Sequence, residues 1–99
     1  MSDQQFINKY LKDFTELLHP NAEITEDLVK IRNLLLEVSS NNKKVLIFGN
    51  GGSSAIASHF SVDLTKNAKV RCVNFNEASL ITCFANDFGF EHWAEKAID

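Results

Sequence analysis

The sequence predicts an α/β fold: an N-terminal helical hairpin followed by a strand–helix–strand unit of a parallel sheet, incomplete as it stands. Three observations carry this. Residues 3–38 hold two stretches with apolar side chains at helical spacing. The apolar run Val45-Leu46-Ile47-Phe48 breaks into "GNGGSS" and then into a helical pattern. An alternating run, 69–75, follows after a helix-sized crossover, as parallel strands require.

In chain order, Phe6, Ile7, Tyr10, Leu11, Phe14, Leu17 and Leu18 paint one wide stripe on a first helix. Pro20 biases His19 away from helix and stops it. Ile24, Leu28, Ile31, Leu35 and Val38 define a second amphipathic helix, and "SSNNK" is its polar exit. These stripes need a partner surface. The run 45–48 reads as a strand buried on both faces. Residues 53–66 read as a helix with Ile56, Phe60 and Leu64 on one face. Residues 78–85 suit a short helix, "NDFGF" at 86–90 a turn, and 91–98 the start of another helix. The expected crossover is right-handed. Two parallel strands rarely stand alone. The chain is therefore expected to be a single partial domain, with 1–40 as hairpin and 41–99 as the first part of a parallel α/β sandwich. It belongs to a larger domain or relies on a partner chain.

Composition excludes several function classes. With 99 residues, one domain is the ceiling, and 44% hydrophobic against 23% charged residues is ordinary for a globular chain. A net charge of −3 gives no electrostatic reason to expect nucleic-acid binding. No apolar run reaches the ~20 residues of a membrane helix, and "MSDQQFINKY" is no signal peptide. Cys72 and Cys83 lie in apolar contexts, which favours free thiols and a cytoplasmic setting.

The glycine turn carries the chemistry. Gly49, Gly51 and Gly52 allow positive φ and close approach of a ligand to backbone. Ser53 and Ser54 begin the helix, where either can cap it or donate a hydroxyl. Amides of a first helical turn and the helix dipole favour an anion. Ligands of open α/β sheets also sit at the carboxyl ends of strands. A nucleotide P-loop is excluded, since no Gly-Lys-Ser/Thr follows. A dinucleotide turn fits by half: Gly49 and Gly51 match, Ser54 replaces the third glycine, and Glu77 could serve as the ribose acid. A plain strand-to-helix turn without ligand is the bland alternative.

His59 and Asp63 lie four apart on one helix face, and His59 lies roughly 9 Å beyond the turn at ~1.5 Å per residue. They could ligate a metal or act as acid and base. On spacing alone, a surface His–Asp contact is the better reading. Asn86 and Asp87 add polar groups in a loop, whose plain reading is a helix-capping turn. Phe90 and Trp93 read as packing, and Cys83 lacks a cationic neighbour that would make it a nucleophile.

"GNGGSSAIASHFSVDLT" together with "ITCFANDFGFEHW" resembles the sugar isomerase (SIS) domain family, in its phosphoheptose isomerase branch. The resemblance spans nearly the whole chain and rests on two motifs in the right order. It implies a SIS-type, Rossmann-like sheet and aldose–ketose isomerisation of sedoheptulose 7-phosphate to a heptose 7-phosphate for surface polysaccharide. It also implies a cytoplasmic homotetramer with shared active sites. Residue by residue, Asn50, Gly51, Gly52, Ser53 and Ser54 would bind the sugar phosphate, and Asp87 would meet the sugar. His59 would ligate zinc and serve catalysis. Asp63 stands where the family has a glutamate, a metal ligand and the base of the reaction. No nucleotide cofactor is expected. The family's later phosphate loop and metal ligands have no counterpart in these residues, so the chain is expected to be inactive alone. Two other readings stay open: a non-catalytic SIS module that binds a phosphosugar as a regulatory signal, and a nucleotide-binding fragment.

Overall fold

The computed structural model describes residues 1–99 as two compact units, Met1–Arg32 and Asn33–Asp99. In the first unit, α1 (Asp3–Leu17) opens on a capping box: the Ser2 hydroxyl accepts the Gln5 amide, and the Gln5 side chain accepts the Ser2 amide. Helix α2 (Ala22–Ser40) begins with the Asn21 side chain accepting the Ile24 amide at 2.9 Å, and the unit boundary falls within this helix. No residue of the first unit is buried. The stripe that predicted α1 is therefore open, with Phe6 and Tyr10 60% and 61% exposed.

In the second unit, β1 (Val45–Ile47) and β2 (Cys72–Asn74) pair in parallel, with Val45 opposite Cys72 and Ile47 opposite Asn74. Both strands are shorter than expected. Lys69 takes a left-handed conformation (φ 58°) and closes the preceding helix, so β2 cannot begin there, although the Arg71 carbonyl already accepts the Val45 amide at 2.9 Å. The Arg71 guanidinium donates to the carbonyls of Asn42 and Lys43, tying the strand entries together. Two-sided burial also fails: Leu46 and Val73, paired across the sheet, are 37% and 40% exposed, because no element of this unit covers that face.

The crossover is α3 (Gly52–Asp63), continued by a π-helical turn, Leu64–Ala68. Its inner face differs from the expected one. Ala57, Ser61 and Leu64 are buried, whereas Ile56 and Phe60 point away from the core. Helix α4 (Ala78–Phe88), a 3₁₀ turn (Phe90–His92) and α5 (Trp93–Ile98) complete the unit. Phe48 stacks on Phe75 with centroids 4.8 Å apart and meets the edge of buried Trp93 at 5.7 Å. This cluster fixes the carboxyl ends of both strands. No helix is long and apolar enough to cross a membrane.

Candidate functional site

The glycines of the turn act for three different reasons. A side chain at Gly49 would lie 2.3 Å from the Ser53 carbonyl oxygen, so only hydrogen fits there. Gly51 has φ 57° and ψ −123°, the values of the first central residue of a type II′ turn. The turn closes when the Ser53 amide donates to the Asn50 carbonyl at 3.0 Å. Gly52 has open space around it.

The anion cradle is narrower than the sequence implied. The Ser53 and Ser54 amides donate to the carbonyls of Asn50 and Gly51, each at 3.0 Å, so α3 starts with tight 3₁₀-type bonds. The amides of Asn50, Gly51 and Gly52 have no acceptor in the turn. Nor does a serine cap the helix, since the N-cap is Gly51, without a side-chain bond. The hydroxyls of Ser53 and Ser54 are left for another role. A cavity of about 290 Å³ opens beside the turn, lined by Phe48, Gly49 and Asn50 and by Phe90, Glu91 and Trp93.

His59 and Asp63 do come together: Nε2 and Oδ1 are 3.6 Å apart, with side chains 76% and 55% exposed. Two ligands on one tetrahedral zinc ion stand about 3.4 Å apart, given bonds of ~2.1 Å. The pair therefore fits as two ligands of such a site. No group of three or more His, Cys, Asp or Glu side chains gathers anywhere in the chain, so further ligands are not among these residues.

Asp87 is not in a loop. It lies in the last turn of α4, which runs through Asn86 and Phe88 and ends at Gly89 (φ 94°). Its carboxylate accepts from Asn86 and, at 3.6 Å, from the Cys83 thiol. The Asp87 charge, and then its hydrogen bond, raise the Cys83 thiol pKa above the ordinary range. That makes Cys83 a poorer nucleophile. Glu77 is engaged as the N-cap of α4, accepting the Leu80 amide at 2.9 Å, which weakens its reading as a ribose acid.

Sequence reasoning missed a polar seam between α3 and the end of β2. Asn76 Nδ2 donates to the Ser54 carbonyl and to the Ser58 hydroxyl, both at 2.8 Å. Asn74 Nδ2 donates to the Ser61 hydroxyl at 2.9 Å, and its Oδ1 accepts the Asn76 amide at 3.1 Å. The signal was present. Ser54, Ser58 and Ser61 share one helix face, and Asn74 and Asn76 are two apart where a strand ends.

The family model of the SIS domain matches residues 9–85. Among curated proteins, the chain is 31% identical over 103 residues to the phosphoheptose isomerase of Trichlorobacter lovleyi, covering 97% of this chain and 53% of that one. It is 35% identical over 101 residues to the enzyme of that name from Fusobacterium nucleatum (94% and 52% covered). It is 36% identical over 100 residues to that of Helicobacter pylori 26695 (94% and 52%). The chain thus spans about half the length of the curated relatives it matches. No solved structure matches it. The strand, the glycine turn and the parallel crossover, with a family match over most of the chain, place it: the chain belongs to the SIS domain family.

Proposed function

We propose that this chain is the amino-terminal part of a phosphoheptose-isomerase-like sugar-phosphate isomerase, cytoplasmic and working as a homotetramer. One observation carries the reading. An open type II′ turn with three unengaged amides stands at one end of α3, and a His–Asp pair stands two turns along the same unbroken helix. A phosphate at the turn leaves a sugar chain of roughly 9 Å along the axis to reach His59, the nearer member of the pair.

The amides of Asn50, Gly51 and Gly52 hold the phosphate oxygens, each such bond contributing on the order of 1.5–3 kcal/mol. The Ser53 and Ser54 hydroxyls add donors. With no metal bound, the Asp63 carboxylate takes the proton from the carbon beside the sugar carbonyl and His59 gives one to the neighbouring oxygen; with zinc bound, His59 would be a ligand and would not serve as the acid. His59 Nε2 and Asp63 Oδ1 are also the atoms that would hold a zinc ion. When bound, zinc supplies polarisation of the carbonyl. Asp87, in the last turn of α4, is the proposed contact to the sugar hydroxyls.

The test is to incubate the full-length protein with sedoheptulose 7-phosphate and zinc and to follow the aldose product. Turnover is expected, and Asp63→Glu is expected to raise it, since one methylene restores about 1.5 Å of reach. An equal or lower rate in Asp63→Glu removes Asp63 from the base role. The short Asp63 side chain favours a second reading, a regulatory module that binds a phosphosugar without turning it over. Thermal stabilisation by the sugar phosphate with no product selects that reading. Stabilisation by NAD alone overturns both.

A further inference from the structure

We propose that Asn76 is a positioning residue for the anion cradle, an inference that rests on the sugar-phosphate reading above. The argument starts from hydrogen-bond chemistry. Asn76 faces the Ser54 carbonyl oxygen at 2.8 Å, and only the amide nitrogen can meet a carbonyl, so the orientation of its side chain is fixed. The second proton of that nitrogen goes to the Ser58 hydroxyl, also at 2.8 Å. One side chain from the end of β2 therefore grips two successive turns of α3.

The upper grip is the informative one. Ser54 donates its own amide to the Gly51 carbonyl and accepts Asn76 through its own carbonyl, so this residue links the turn to the segment after β2. Shifting Ser54 shifts Gly51 and Gly52 with it. The Asn74–Ser61 bond, by contrast, lies farther down the same seam and does not touch the turn. Asn76 is itself held from behind, its backbone amide bonded to Asn74 Oδ1 at 3.1 Å. Its Oδ1 is buried with no hydrogen-bond partner, so the side chain is kept there by its donors alone. Such an arrangement holds a donor array at fixed register, as selective binding of a phosphate demands.

The experiment compares Asn76→Ala with Ser61→Ala in the full-length protein. Dissociation constants for sedoheptulose 7-phosphate and for unphosphorylated sedoheptulose are measured by titration calorimetry, with melting temperatures alongside. Both variants are expected to melt lower than the parent. Asn76→Ala is expected to weaken sugar-phosphate binding at least tenfold while changing binding of the unphosphorylated sugar less than twofold. Ser61→Ala is expected to leave both within twofold. If Asn76→Ala does not fold, Asn76→Leu, which keeps the volume and loses the donors without adding charge, is read in the same way. Sugar-phosphate affinity retained in the Asn76 variant, or lost equally in Ser61→Ala, overturns the positioning role and leaves the functional reading intact. No binding by the parent protein overturns the functional reading and this inference with it.

Discussion

Along α3, Ala57 and Ser61 are 3% and 4% exposed, whereas Ile56 and Phe60, one residue earlier in each case, are 71% and 42% exposed. The inner face is small and hydroxylated, and the outer face carries the large apolar residues together with His59 and Asp63. The difference teaches how the helix is held. Small residues let it lie close to the strands, and at that range asparagine-to-serine hydrogen bonds act as fasteners. The outer face leaves Ile56, Phe60, His59 and Asp63 exposed.

Four substitutions break or sharpen this contrast. The largest effect is expected at Gly49→Ala. The new methyl meets the backbone of Ser53 and Ser54, which cannot give way, so stability should fall by about 3 kcal/mol or more in denaturant titration. Next, Ser61→Ala removes a buried hydroxyl that accepts from Asn74 and donates to the Ser58 carbonyl. A loss of about 1–2 kcal/mol is expected in the same measurement, since a donor is left without its acceptor.

Gly52→Ala should move stability and binding in opposite directions. Nothing lies within 4 Å of the added methyl and φ is not positive, so a gain of about 0.5 kcal/mol is expected. The same methyl enters the space where the phosphate would sit, and sugar-phosphate affinity should drop. A gain in both quantities would place the ligand elsewhere. The smallest stability effect is expected at His59→Ala, within about 0.5 kcal/mol, because the His59–Asp63 pair is exposed. A large loss there would mean that the outer face is structural after all.

Much of the scaffold was legible in the residues. Val45 to Phe48 running into three glycines signalled a strand entering a tight turn, although its two-sided burial did not hold, and the crossover followed from helix length. The details failed where hydrophobicity was the wrong guide. Ile56 and Phe60 dominate the apolar pattern of α3, yet close approach to a strand selects alanine and serine. Asn86 and Asp87 read as loop residues by propensity, but α4 extends to Phe88 because Gly89 at φ 94° offers a natural stop. In the candidate site, the His59–Asp63 contact followed from spacing, whereas a role for it as ligand or acid–base pair came only from the family resemblance. The Asn76 bonds were not foreseen, since they join residues 18 and 22 positions apart. The two amides that close the turn were counted as free because sequence does not tell a 3₁₀ start from an α start.

Trp93 is the only tryptophan, and its indole rests edge-on against Phe48 beside the cavity that Asn50 lines. Its emission spectrum therefore serves as a native optical gauge of that end of the sheet. A ligand arriving at Asn50 alters the polarity around the fluorophore, so occupancy can be followed without any dye or tag.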